Sequence, residues 1–286
     1  MKSIWRLMKA AIAGWNTDFA SSMGAALAYY TVFSIAPLLI IVIAVAALLF
    51  GQQAAQQELL DQIRALVGDQ GTHAIEIMLE SAQKPKQGAL ASVLSVVTLA
   101  IGATGVFSEL ESDLNRIWKV QGPEGSGIWH LLRTRLLSFG MVLAIGFLLL
   151  VSLIVSAALA AWGKYWGGLF AGMEALLHAA NFVLSLLVIS VLFALMYKIL
   201  PSVKITWRHA WLGAALASVL FTLGKLLIGL YIGKSSIASS YGAAGALVVL
   251  LLWVYYSAQI FLFGAEFIKA YADGPGAVRT STSPPF

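Results

Sequence analysis

Six stretches of almost unbroken apolar residues dominate the chain. They run over Ala25–Phe50, Ala89–Phe107, Leu136–Ala161, Ala180–Leu200, Ala210–Ile232 and Ala243–Ala265. A helix rises about 1.5 Å per residue, so roughly 20 apolar residues cross the hydrocarbon core of a bilayer. Helices of this length in a soluble protein would carry a polar stripe, which most of these stretches lack. The pattern predicts an all-α polytopic membrane protein with about six transmembrane helices, spread over residues 21–271.

The segments outside the spans predict interfacial helices and a tail. Residues 1–20 begin with an amphipathic stretch, which is typical of a helix lying on the membrane surface. Residues 51–88 show helical spacing of apolar positions on either side of Gly68–Gly71, which indicates a helical hairpin on the outer face. Residues 272–286 are rich in Gly, Pro, Ser and Thr, and a disordered tail is expected.

Composition and charge fit the membrane interpretation. Hydrophobic residues make up 60% of the chain and charged residues 11%, against about 25% charged in soluble domains. Most of the 18 Lys and Arg residues fall on the inner side if both termini are cytoplasmic, which is the expected positive-inside bias. No long basic run occurs, so nucleic-acid binding is not expected. With no cysteine, disulfides and thiolate metal sites are excluded.

The first span carries polar groups around a proline. Tyr29, Tyr30 and Ser34 precede Pro37, which removes one helical hydrogen bond and should kink the helix. In lipid, the freed carbonyl needs a partner. Two interpretations remain open: this region lines a cavity, or the kink serves only packing.

Lys225 lies inside the fifth predicted span. A charged side chain there faces a cavity or a partner, or it extends along the helix to the interface. Interior partners available to it elsewhere in the chain are Tyr29, Tyr30, Tyr255, Gln259 and Glu266.

Charged residues also gather at the inner ends of spans. Glu266 lies at the inner end of the last span, and Glu109, Glu111 and Asp113 follow the second. They are either ordinary interfacial residues or members of a proton or cation relay, or of a gate held by Arg116, Arg133 or Arg135. The same arginines are suited to anionic lipid head groups.

Enzymatic motifs are not found. The four histidines lie on different connections without the spacing of metal ligands, and no phosphate-binding loop or nucleophile elbow occurs. No catalytic residue, metal or cofactor is expected.

Four blocks together resemble the YihY/BrkB family of bacterial inner-membrane proteins, once labelled ribonuclease BN. The blocks are Ala26–Tyr30 leading to Pro37, Leu114–Trp118, Trp211–Ala214, and Tyr241–Ala243 followed by Leu252–Tyr256 and Gly264–Glu266. The resemblance covers about Trp15 to Tyr271 and implies a multi-pass inner-membrane protein with no catalytic residues to carry over.

Two functions follow as hypotheses. The first is a transporter or flippase-like carrier of an anionic or amphiphilic solute, including a lipid. The alternative is a non-transporting protein that scaffolds partners in the envelope. Membrane lipids are the expected partners, and small-residue spacings such as Gly140 with Ala144 leave a homo-oligomer open.

Overall fold

The computed structural model describes residues 4–83, 105–120, 140, 148, 173–234 and 245–273. Seven helices form these parts of the chain. They are α1 (Ile4–Thr17), α2 (Ala20–Phe50), α3 (Gln52–Gln83), α4 (105–117), α5 (Met173–Ile199), α6 (Trp207–Lys234) and α7 (Gly245–Asp273).

Four helices are long and apolar enough to cross a membrane, which confirms the prediction of an all-α membrane protein. Their spanning parts are Ala20–Leu48, Ala179–Ile199, Trp207–Ile228 and Gly245–Asp273. These correspond to the first, fourth, fifth and sixth predicted spans. The second and third predicted spans lie almost wholly outside the described residues, as do Arg133, Arg135 and the tail beyond Asp273. The number of six spans and the orientation of the termini stay predictions.

Helix α7 is the centre of the described bundle, because α1, α2, α3 and α6 all pack on it. α2 begins and α7 ends at the same end of the bundle, which we call the basal end. The packing with α6 is close because both helices carry glycine. A side chain at Gly213 of α6 would overlap Ile268 of α7, and one at Gly264 of α7 would press on Ala217 of α6 besides overlapping the Tyr197 hydroxyl of α5. Small residues of this kind let membrane helices approach closely.

Aromatic side chains join α5 to α7. Tyr197 is fully buried and its hydroxyl donates a hydrogen bond to the carbonyl oxygen of Phe261 over 2.8 Å. The two rings stack with their centroids 4.8 Å apart. Phe193 packs against both rings, at 6.3 Å from Tyr197 and 6.1 Å from Phe261. A buried tyrosine therefore satisfies its only hydroxyl while filling the core.

Helix α3 is broken at Gly68, where φ is 77°. This left-handed conformation favours glycine, and the break falls within the Gly68–Gly71 segment that the sequence indicates. The two arms pack their apolar side against the half of the bundle away from the basal end, through a cluster that includes Ile43, Ile75 and Leu250. The helix thus lies alongside α2 and α7 on both sides of its break.

Candidate functional site

The chain bends sharply between α1 and α2. Phe19 adopts the left-handed conformation, with φ 58°, and is largely exposed. The Asp18 backbone N–H still donates to the carbonyl of Gly14 over 2.8 Å, so α1 closes its last turn before the bend. A left-handed residue other than glycine is uncommon. The bend places Asp18 against the last turns of α7.

Three charged side chains meet at this bend, and we call Asp18, Glu266 and Lys269 the basal cluster. Lys269 Nζ lies 2.9 Å from Asp18 Oδ2 and 3.9 Å from Glu266 Oε2. The exposed fractions of the side chains are 10% for Asp18, 2% for Glu266 and 12% for Lys269. Asp18 and Glu266 are also within hydrogen-bonding reach of each other. Two carboxyls therefore share one ammonium in a site almost closed to water.

Glycine brings the backbone of α1 onto this cluster. A side chain at Gly14 would overlap the Glu266 carboxyl, so a larger residue there would displace this carboxyl. Glu266 Oε1 is buried and has no hydrogen-bond partner. A buried polar oxygen without a partner is expensive, on the order of 1–3 kcal/mol, so this arrangement is not explained by stability.

The pKa of Asp18 reflects its partner. Burial alone would raise this pKa, but the hydrogen bond and ion pair from Lys269 outweigh the effect of burial. The pKa of Asp18 therefore lies below its usual value, and Asp18 is the ionised carboxylate of the cluster.

Two turns deeper in the bundle, Gln259 faces α2. Its Nε2 donates to the carbonyl of Ala20 over 3.3 Å, and Gly24 leaves the room that this side chain occupies. Tyr255 lies beside the same glycine. Gln259 Oε1 is buried without a partner. Gln259 thus extends the polar region of the basal cluster into the interface between α2 and α7.

The end of α4 borders the basal cluster. Lys119 adopts φ 54° after the last turn, with Val120 N–H donating to the Asn115 carbonyl over 2.9 Å and Lys119 N–H to that of Arg116 over 3.0 Å. This is the Schellman arrangement, in which glycine usually occupies the place that Lys119 takes. Lys119 is near enough to act electrostatically on both Asp18 and Glu266.

Asn115 ties α4 to the connection between α5 and α6. Its Nδ2 donates to Ser202 Oγ over 3.0 Å, and its Oδ1 accepts the Ser202 backbone N–H over 2.8 Å. Because α4 ends at this clamp, the clamp helps to hold Lys119 near the basal cluster.

Asp113 is a second buried carboxyl, on the apolar face of α4. It lies on the same face of the helix as Leu110, Leu114 and Ile117. Its side chain is 4% exposed, and its Oδ2 has no hydrogen-bond partner. Asp113 lies beyond the end of the predicted second span. Burial and the nearby Glu109 carboxylate raise its pKa to about 7, against the opposing effect of Arg116. This carboxyl can therefore gain or lose a proton near neutral pH.

The polar residues of the first predicted span do not form one site. Tyr29 and Tyr30 are exposed on α2, where Tyr29 contacts Phe33 with the ring centroids 4.9 Å apart. Ser34 is buried instead, against Gly105 at the start of α4. α2 continues as a helix through Pro37.

Lys225 is half-buried on α6, one residue after Gly224, which packs against Tyr256. Glu266 is ten residues further along α7 than Tyr256, which corresponds to about 15 Å of helix. The structure therefore does not bring Lys225 to the basal cluster.

Glu109 and Arg116 lie on α4 and act electrostatically on Asp113.

Sequence reasoning singled out Glu266 and Gln259 but missed Asp18, Lys269 and Lys119. Asp18 and Lys269 are far apart in the sequence, and the bend at Phe19 brings Asp18 onto α7. Asp113 was singled out only together with Glu109 and Glu111, although the apolar spacing of α4 places its carboxyl on the buried stripe. Among the described residues, no group of His, Asp and Glu is arranged to hold a metal ion.

Comparison with known proteins gives consistent matches over most of the chain. A family model described as virulence factor BrkB matches residues 11–283. A UPF0761 membrane protein of Alcanivorax borkumensis is 32% identical over 261 residues, which cover 90% of this chain and 58% of that protein. A UPF0761 membrane protein of Actinobacillus pleuropneumoniae is 28% identical over 247 residues, which cover 83% of this chain and 83% of that protein.

Some relatives are much longer than this chain. A UPF0761 membrane protein of Pseudomonas aeruginosa is 29% identical over 255 residues, which cover 88% of this chain but 59% of that protein. The chain thus spans less than two thirds of the Alcanivorax and Pseudomonas relatives. No solved structure matches the chain.

Proposed function

The chain belongs to the virulence factor BrkB family of membrane proteins, and from this premise we propose that it carries an anionic or amphiphilic solute, such as a lipid, across the bacterial inner membrane. The basal cluster is the observation on which the proposal rests. Both termini are taken to be cytoplasmic, so that the cluster lies at the cytoplasmic end of the helices.

The stability of the fold does not explain why the basal cluster is present. Replacing a buried ion pair by apolar residues is often neutral or stabilising, because desolvation offsets the attraction between the charges. Asp18, Glu266 and Lys269 are nonetheless buried together where three helices meet. Ionisable groups buried in membrane proteins usually mark the path of an ion or a substrate.

The exposed face of α2 supports an amphiphilic solute. Tyr29, Tyr30 and Phe33 present two hydroxyls and three rings on the outside of this helix. Such a face suits a molecule with an apolar body and a polar head, reached from the side rather than through a closed channel. Lys225 and Arg116 remain candidates for contact with an anionic head group, as do Arg133 and Arg135, which lie outside the described residues. A homo-oligomer is compatible with this proposal.

Sealed proteoliposomes provide the test of the carrier function. A fluorescent phosphatidylglycerol would be placed in one leaflet, and its movement would be followed with the parent protein, with Lys225→Ala and with empty vesicles. Lipid movement that requires the protein supports the carrier, and a slower rate in Lys225→Ala places Lys225 on the path. No movement of this lipid or of small organic anions above empty vesicles would contradict the carrier and favour a scaffolding role.

A further inference from the structure

The basal cluster contains one negative charge more than its own ammonium can balance. If Asp18 and Glu266 were both ionised, Lys269 would face two carboxylates at 2.9 and 3.9 Å. The second carboxylate, on a side chain 2% exposed, would have only the longer contact of 3.9 Å to the same ammonium. Burying an unpaired charge is far more expensive than burying a neutral carboxylic acid.

A hydrogen bond between the two acids would need a proton between them. An ionised carboxylate only accepts hydrogen bonds, so two carboxyls can hydrogen-bond each other only if one carries a proton. Asp18 and Glu266 are within that reach, and Asp18 is the one paired with Lys269. Glu266 Oε1 is buried and has no hydrogen-bond partner.

We propose that Asp18 and Glu266 form the site that binds a coupling proton, held on Glu266 and exchanged with water as the carrier works. This inference rests on the carrier function proposed above. The lowered pKa of Asp18 agrees with the placement, since it leaves Glu266 as the proton holder. In the described part of the chain, the charged groups acting on Glu266 are Asp18 at the α1–α2 bend, Lys269 on α7 and Lys119 after α4.

Proton release would change how the helices fit together. When Glu266 loses its proton to water, a carboxylate appears against the backbone of α1 at Gly14 and beside the carboxylate of Asp18. The two negative charges repel, and α1 with the start of α2 is pushed away from α7. Binding a proton restores the contact. A proton gradient can therefore be converted into movement of α2, whose outer face carries Tyr29 and Tyr30.

Infrared spectroscopy tests the proton site without any transport assay. The full-length protein in lipid nanodiscs would be titrated with acid and base while the absorption of protonated carboxyl groups is recorded. All proteins would carry Asp113→Asn, because the Asp113 carboxyl also titrates near neutral pH. In this background the proposal expects a titrating band that is absent in Glu266→Gln and unchanged in Glu80→Gln, which alters an exposed acid of α3. A titrating band that persists in Glu266→Gln in this background would overturn the proton site.

A second variant guards against misfolding of the first. Asp18→Asn keeps Glu266 but replaces its hydrogen-bond partner, so the carboxyl band should shift in frequency rather than vanish. An unshifted band in a folded Asp18→Asn protein would contradict the shared proton.

Coupling is then read from transport of the labelled phosphatidylglycerol. The parent should move this lipid faster under a pH gradient than without one, and Glu266→Gln should lose this difference. Equal rates with and without the gradient in the parent would overturn the coupling. If the parent moves no solute at all, the carrier function fails, whereas the infrared result still decides whether Glu266 binds an exchangeable proton.

Discussion

Lys269 Nζ lies 2.9 Å from Asp18 Oδ2, although 251 positions separate the two residues in the sequence. This ion pair joins the bend between α1 and α2 to the last turns of α7. Both side chains are nearly closed to water, with exposed fractions of 12% and 10%. The contact therefore closes the basal end of the bundle and holds Glu266 within it.

The ion pair should be energetically coupled. Lys269→Gln leaves two carboxyls without their counter-ion, and a loss of stability on the order of 3 kcal/mol is expected because one partner of a buried pair is removed. Asp18→Asn combined with Lys269→Gln should cost less than the sum of the two single variants. A double-mutant cycle on the unfolding of the purified protein measures this, and strictly additive losses would show that the pair is not formed.

Close packing at Gly264 should not tolerate a methyl group. Gly264→Ala would overlap the Tyr197 hydroxyl and press on Ala217, so a loss of about 1–3 kcal/mol is expected from overpacking. Gly140→Ala is the matched control, because no described residue lies within 4 Å of a side chain at that position. Thermal unfolding in detergent compares them, and Tyr197→Phe should relieve part of the loss at Gly264. Equal melting temperatures for both glycine variants would contradict the packing described here.

Asp113 should make stability fall with rising pH. Its pKa rises on folding from 3.8 to about 7, so the unfolded chain releases this proton first and the folded state is progressively disfavoured between those values. Asp113→Asn removes this penalty, which amounts to on the order of 4 kcal/mol above pH 7. Melting temperatures measured from pH 4 to 8 should show the variant gaining on the parent as pH rises. A constant difference between them would contradict a buried, protonated Asp113.

The clamp between Asn115 and Ser202 should position the end of α4. Asn115→Ala removes both hydrogen bonds, and a loss of about 1 kcal/mol is expected because the pair is partly open to water. Ser112→Ala, an exposed change on the same helix, is the control. Hydrogen exchange of residues 200–206 should accelerate only in Asn115→Ala. Unchanged exchange there would show that the connection is held by other contacts.

The spans were predictable from the sequence because a membrane imposes a length and an apolar composition on each helix. The four described spans agree with the apolar stretches within a few residues, apart from the longer ends of α2 and α7. The break at Gly68 was visible for a similar reason, since glycine interrupts the helical spacing there.

Of the basal cluster, only Glu266 was predicted from the sequence. Glu266 attracted attention as an acid at the end of a span, whereas Asp18 looked like an ordinary residue before one. Their pairing depends on the left-handed bend at Phe19, which no local pattern of apolar residues specifies. The sequence also did not predict which polar residues of α2 are exposed, since Tyr29 and Ser34 lie on one helix yet only Ser34 is buried.

The most direct test of the carrier function uses the buried acid itself. Movement of labelled phosphatidylglycerol would be compared in proteoliposomes containing equal amounts of parent protein, Glu266→Gln or Glu80→Gln. The carrier with its basal cluster predicts movement in the parent and in Glu80→Gln, and a rate at least about tenfold lower in Glu266→Gln, which corresponds to about 1.4 kcal/mol in the barrier. Equal movement in all three proteins, or none above empty vesicles in any, would contradict it.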